Sequence, residues 1–196
     1  MSQPISLEAV EQIFTAARSH HAWTDRPVSA DELKSLYEIM KWGPTSVNSG
    51  PARLVFVQSD AGKEKLYPAL MEANVAQVRA APVTAIVAFD ERFFDHVKDL
   101  FPAYDATALF AGDRKLRQET AFRNSSMQGA YLIIAARALG LDACPMSGFD
   151  NAKVDEAFFQ NGTWRSNFIC TLGHGDGTKL WPRGPRLAFE DVCRVV

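Results

Sequence analysis

The stretch Glu119–Leu139, ETAFRNSSMQGAYLIIAARAL, decides the fold. Met127, Ala130, Tyr131, Ile134 and Ala138 recur at three- and four-residue steps, which places them on one stripe of a helix. Gly140 supplies the stop. A helix this long and this apolar is expected at the centre of the core. Downstream, Leu141–Met146 and Asn167–Leu172 have the length and composition of short strands, separated by a helix that Asp150 can cap. Upstream, Val83–Phe89 is a strand with too few polar residues to face water, hence covered on both sides, and Arg53–Gln58 is another. Ser29 and Glu32 form a capping box opening a helix that carries Leu33, Leu36, Tyr37 and Met40 and stops at Gly43-Pro44. Ser6–His20 has helical spacing in Val10, Ile13, Phe14 and Ala17. Asp60 is expected to cap a helix with Leu66, Leu70 and Ala73 on one face. Phe93–Leu116, aromatic and weakly periodic, reads as short helices or a flap. The tail Trp181–Val196 ends apolar and is expected to dock.

This order of elements predicts an α/β (α+β) domain of three layers, a small central sheet flanked by helices, with residues 1–196 as a single unit. The 196 residues are 47% hydrophobic and 22% charged with a formal net charge of -2, enough apolar material for one core. The near-neutral balance argues against nucleic acid and anionic membrane as partners. Three scattered cysteines, Cys144, Cys170 and Cys193, make neither a disulfide framework nor a zinc pattern. The N-terminus lacks the basic start and apolar run of a secretory signal. The longest apolar stretch, Gly129–Leu141, is broken by Arg137 and falls short of the roughly 20 residues of a membrane span. A cytoplasmic location is expected.

Several common chemistries are missing. There is no GxxxxGK[ST] loop, no HExxH helix and no GxSxG elbow. Gly173–Gly177, GHGDG, follows a strand but opens no apolar helix, so it lacks the setting of a dinucleotide fingerprint. His20 and His21 are adjacent and would point roughly 100° apart on a helix; with His96 and His174 they give no metal spacing, and no metal is expected. An enzyme with this inventory needs a cofactor to carry its chemistry.

Four segments, Arg18-Ser-His-His-Ala-Trp23, Gly43-Pro-Thr-Ser-Val-Asn-Ser-Gly-Pro51, Leu139-Gly-Leu-Asp-Ala-Cys-Pro-Met-Ser-Gly-Phe149 and Pro185-Arg-Leu187, resemble in order and spacing the flavin-binding pattern of the nitroreductase family. The segments WGPTS, SGPARLVFV, APVTAIVAF, ETAFRNSSMQ, PMSGFD and GDGTKL look closer still to its HadB/RutE subfamily. The resemblance implies an intertwined homodimer with FMN at the subunit interface, NADH or NADPH as reductant, and ping-pong hydride transfer through the flavin N5. The acceptor would be a small aldehyde, enone, quinone or nitro compound. Malonic semialdehyde, reduced to 3-hydroxypropionate, is a candidate within that class.

Residue by residue, the resemblance implies that Arg18 and Arg186 hold the phosphate through charge-assisted bonds, with a hydroxyl bond from Ser19. Pro44, Thr45, Ser46 and Asn48 would line the ring from the partner subunit; Asn74 and Gln128 would contact the ring. Pro145, Met146, Ser147 and Gly148 would form a turn in which the backbone N–H groups of Ser147 and Gly148 face N5 and act most directly in catalysis. Ala17 and His21 stand where many relatives carry arginine or lysine, leaving His21, Arg183 or Lys179 to supply charge. Phe101, Tyr104, Phe110 and Arg123 are candidates for the substrate lid, and Arg123 or Arg114 for holding a substrate carboxylate. Two other readings remain open: a flavin-binding protein with little turnover, and an α/β interaction domain without cofactor.

Overall fold

A computed structural model describes residues 3–160 and 162–196. In chain order the elements are α1 (Leu7–Val10), running into a π-helical turn at Glu11–Thr15; α2 (Ala30–Met40); β1 (Ala52–Val57); α3 (Asp60–Leu66); α4 (Glu72–Ala80); β2 (Val83–Asp90); α5 (Val97–Leu100); α6 (Thr107–Gly112); α7 (Arg114–Ala138); β3 (Asp142–Met146); α8 (Asn151–Phe158); β4 (Trp164–Gly173); and α9 (Phe189–Val192). The four strands form one antiparallel sheet in the order β1-β2-β4-β3.

The three layers follow from the two-residue period of the strands. Val83, Ala85 and Val87 of β2, with Ala143, Cys170 and Leu172, pack against α2 and α7 through Leu33, Leu36, Met40, Leu132, Ala135 and Ala136. Ile86 and Ala88, on the opposite face with Val57 and Ile169, pack against α3, α4 and α8 through Leu66, Val78 and Val154. Nearly all of β2 is buried, as expected of a strand covered on both sides. Ser29 accepts from the backbone of Glu32, and Glu32 from the backbone and hydroxyl of Ser29, closing the capping box. These two bonds hold the Glu32 carboxyl below its ordinary value.

Five expectations are corrected. The stripe Met127, Ala130, Tyr131, Ile134, Ala138 is not the core face of α7. Met127, Ala130 and Ala138 are exposed, Tyr131 and Ile134 half-buried, and the sheet meets Ala121, Ser125, Gln128, Leu132, Ala135 and Ala136 instead. The helix is apolar on two sides, and spacing alone cannot say which side faces the sheet. α7 also begins earlier, at Arg114, because Asp113 caps it through the Leu116 amide. The helix expected from Asp60 is interrupted. Ser59 is the cap, the chain tightens at Tyr67–Ala69 around Pro68, and Leu70 is extended and bridges Phe149 before α4 starts. The N-terminal helix ends at Thr15 rather than His20. The tail beyond Trp181 is exposed throughout in the single chain.

Lys63 is a charged side chain only 9% exposed. Its ammonium donates to the carbonyls of Ala81 (2.7 Å) and Arg79 (3.2 Å), capping the C-terminus of α4 from α3. Lys63→Met keeps the aliphatic stem and strands both carbonyls. It is expected to cost about 1–3 kcal/mol of stability, readable as a lowered urea midpoint at unchanged slope; an unchanged midpoint would show the cap to be idle.

Candidate active site

The chain from the π-helical turn to Trp23 runs across the C-terminal turn of α7 and meets the segment after β4. A cavity of about 590 Å³ lies at this junction. Arg18, Ser19 and His21 line it from the N-terminal side, Trp181, Arg183 and Arg186 from the tail, and Arg137 from α7. Four arginines and no carboxylate face it, an arrangement that repels cations and attracts anions. Each guanidinium is held in place. Arg18 donates to the Trp181 carbonyl, Arg183 to the Ala17 carbonyl (3.1 Å), and Arg186 to the carbonyls of Gly184 (3.0 Å) and Pro185 (2.9 Å). The ring of His21 stacks on Trp181 with centroids 4.3 Å apart. Of the two substitutes for the missing charge at Ala17 and His21, Arg183 is at the cavity, while Lys179 pairs with Asp176 at 3.5 Å.

A line of contacts leads from this cavity along α4 to the turn after β3. His21 Nδ1 lies 3.0 Å from Gln77 Oε1. Burial pushes the Cys144 thiol up, and the polar side chains of Gln77 and Ser19 beside it offset part of that push. Cys144 is followed directly by Pro145–Gly148. Asn74, three residues before Gln77 and so on the same face of α4, donates Nδ2–H to the Gly148 carbonyl at 2.8 Å; the Met71 amide donates to the same oxygen at 3.0 Å. A Cβ at position 148 would fall 2.6 Å from Asn74 Nδ2 and 2.9 Å from Met71 Sδ, so only glycine fits against α4 without displacing them. Arg18, Ser19, His21, Asn74, Pro145, Gly148, Arg183 and Arg186, drawn from distant parts of the sequence, therefore belong to one connected region. Met146 and Ser147 lie on the same turn. Arg137 and Gln77 were missed from the sequence. The signal for Arg137 was its position as the one charge interrupting an apolar run.

Pro44, Thr45, Ser46, Asn48 and Gln128 lie elsewhere in the single chain. Asn48 and Gln128 line a second cavity of about 670 Å³ beside Tyr37, Trp42 and Leu54, which shares no residue with the first. The loop is fastened to α7: Asn124 accepts from the Ser46 amide (2.8 Å), and the Tyr131 hydroxyl donates to the Pro44 carbonyl (3.0 Å). Val47 and Asn48 both have positive φ, 45° and 48°, a conformation that costs non-glycine residues and is held here by the surroundings. Gln128 is buried and accepts from the Ala52 amide (2.8 Å), so it also anchors the start of β1.

The lid candidates divide. Phe110 is a core residue, packed with Phe93, Val97, Ala106 and Ala121. Tyr104 is exposed and Phe101 half-buried, and Arg123 projects from the exposed side of α7 rather than from a loop. Among the described residues, no group of three or more His, Cys, Asp or Glu side chains is placed to hold a metal, and no helix is long and apolar enough to cross a membrane.

Fold and cavity together define an α+β protein with an arginine-lined cavity connected along α4 to a tightly approached backbone turn. The chain belongs to the nitroreductase family, whose model matches residues 15–174. It is 52% identical over 196 residues, all of both chains, to a protein of Rhodopseudomonas palustris (strain TIE-1) named "Putative NADH dehydrogenase/NAD(P)H nitroreductase". A protein of the same name from Xanthomonas oryzae pv. oryzae (strain PXO99A) is 57% identical over 194 residues, 99% of each chain. Among solved structures it resembles a protein of Exiguobacterium sibiricum 255-15, described as a "putative nitroreductase in complex with FMN", with a TM-score of 0.85 at 19% identity over the whole of both chains.

Proposed function

We propose that the protein is an FMN-dependent NAD(P)H oxidoreductase, working as a homodimer on a small electron acceptor. The observation that carries this reading is the four-arginine cavity, joined through one face of α4 to the Gly148 turn. Fit to the cofactor is supported by an orphaned donor: Arg137 Nε is buried without a partner at the cavity that also holds Arg18, Arg183 and Arg186, and a phosphate monoester supplies acceptors for such donors. When bound, FMN supplies hydride transfer between NAD(P)H and the acceptor at its ring N5.

The residues of this chain do the rest. Arg18, Arg186 and Arg183 neutralise the phosphate, with Ser19 and His21 as further donors. Asn74 and the Met71 amide hold the Gly148 carbonyl, and the N–H of that same peptide, on Phe149, donates to the Ser147 carbonyl at 3.0 Å, so the neighbouring peptide that carries the Gly148 N–H would be held in a fixed direction for the ring. Preset donors of this kind need no reorganisation when charge develops. Pro44, Thr45, Ser46, Asn48 and Gln128 would reach the ring from the partner subunit. The dimer is supported by large apolar side chains that a single chain leaves in water: Trp42 (81% exposed), Trp181 (69%), Leu187 (74%) and Phe122 (53%), together with the exposed second stripe of α7. The acceptor class comprises aldehydes, enones, quinones and nitro compounds. Malonic semialdehyde is the narrower candidate, its carboxylate suited to the exposed guanidinium of Arg123 or Arg114.

The test is direct. Protein reconstituted with FMN should show bound-flavin absorbance that NADH or NADPH bleaches and an acceptor restores, and a panel of the four acceptor classes plus malonic semialdehyde ranks the substrates. Flavin that binds but is not bleached would leave a binding protein with little turnover. Failure to take up FMN would remove the reading altogether.

A further inference from the structure

The C-terminal turn of α7 carries a cation, Arg137, that lies outside the four flavin-binding segments. Arg137 lies among apolar residues, and burial pushes its guanidinium down from its ordinary value. One guanidinium nitrogen, Nη1, donates to the Ile13 carbonyl at 2.9 Å. Nε is buried and has no partner, and among the described residues no carboxylate lies within ion-pair distance of the group. Asp142, the acid whose charge it feels, is engaged with His20 at 3.2 Å and with the Gly175 amide at 2.9 Å. A partly desolvated cation with an unmet donor is costly unless an anion completes it. The side chain reaches the cavity of Arg18, Arg183 and Arg186.

We infer that Arg137 is a direct ligand of the cofactor phosphate, supplying from α7 the charge that Ala17 and His21 do not provide. The inference rests on the proposed FMN site and adds a residue to it. The geometry also gives Arg137 a second task. Its bond to Ile13, and the bond that its own carbonyl accepts from Gln12 Nε2 at 2.7 Å, tie the π-helical turn to α7. That turn leads directly into Arg18, so Arg137 both contacts the anion and holds the segment that brings the next arginine.

The two tasks separate in a cycle that varies the protein and the ligand together. FMN and riboflavin differ by the phosphate alone. Arg137→Ala should weaken FMN roughly ten- to hundredfold while leaving riboflavin within about twofold, measured by quenching of flavin fluorescence. Inorganic phosphate should compete with FMN in the unsubstituted protein and compete less well in R137A. Gln12→Ala, which cuts the neighbouring tie but spares the guanidinium, should not change the preference for FMN over riboflavin. Equal weakening of both flavins by R137A, or no weakening of either, would overturn the phosphate contact and leave only a structural tie. Unsubstituted protein that takes up neither flavin would instead overturn the underlying site reading, and this inference with it.

Discussion

Gly148→Ala is expected to lower turnover of the FMN-loaded protein by roughly 100-fold, the size typical of losing one preset donor at a developing charge, while the chain stays folded. The added Cβ would meet Asn74 Nδ2 at 2.6 Å and Met71 Sδ at 2.9 Å. Both are ends of flexible side chains, so they yield before the backbone of β3 or α4 does. The consequence is local. Asn74 gives up its 2.8 Å bond to the Gly148 carbonyl, the peptide joining Gly148 to Phe149 turns, and its 3.0 Å bond from the Phe149 amide to the Ser147 carbonyl carries the change to the neighbouring peptide, so the Gly148 N–H loses its aim. A displaced side chain beside an exposed loop costs little global stability, so the melting temperature should move far less than the rate. Asn74→Ala removes the same bond without inserting an atom and should show a smaller loss in the same direction. Rapid-mixing measurement of flavin bleaching by NADH, alongside thermal unfolding, tests both variants. Unaltered bleaching in G148A would remove the turn from the mechanism.

The sequence showed elements more clearly than it showed faces. β2, the Ser29–Glu32 box, the Gly140 stop and the Asp150 cap were legible because each depends on neighbours a few residues away. The orientation of α7 was not. Met127, Ala130, Tyr131, Ile134 and Ala138 form as good a stripe as Ala121, Gln128, Leu132 and Ala135, and only the sheet's position decides between them. A core stripe containing Ser125 and Gln128 looks polar in sequence until Gln128 is seen bonded to the Ala52 amide. The break at Tyr67–Ala69 was available from Pro68, whose ring disfavours helix in the residue before it, but the apolar spacing of Leu66, Leu70 and Ala73 obscured it. Phe110 illustrates the limit for loops, since an aromatic in a weakly periodic segment serves a small core or a substrate wall equally well until its neighbours are known.

The site was legible only in parts, for a related reason. Short motifs mark Arg18-Ser19, the Pro145–Gly148 turn and Pro185-Arg186, but the links between them are tertiary. Gln77, which lies 3.0 Å from His21 Nδ1 and beside Cys144, sits on a short helix with nothing in its local sequence to distinguish it. Arg137 was visible as an oddity in an apolar run, and became meaningful once its Nε was found buried without a partner beside three other arginines.

Reversing the charge of Arg186 separates electrostatics from folding better than any other change at the cavity. Among the described residues its guanidinium bonds only the nearby carbonyls of Gly184 and Pro185, both in an exposed tail where water replaces it. The stability of the flavin-free protein should therefore change by no more than about 0.5 kcal/mol. Arg18 offers no such separation, because it also fastens Trp181 to the N-terminal segment. Arg186→Glu removes one cation from the cavity and puts a carboxylate in a site that has none, facing a phosphate that carries its own negative charge. FMN affinity should fall on the order of 100-fold or more, and riboflavin affinity should hardly change. Because the residue is solvent-exposed, part of the deficit is screened, so the gap between R186E and the unsubstituted protein should narrow as salt is raised. Arg186→Lys, which keeps the charge but loses the two-pronged geometry, should fall between them. FMN binding that is indifferent to the sign of the charge at position 186 would mean that the phosphate is held without Arg186, leaving Arg183 as the guanidinium that the tail brings to the cavity.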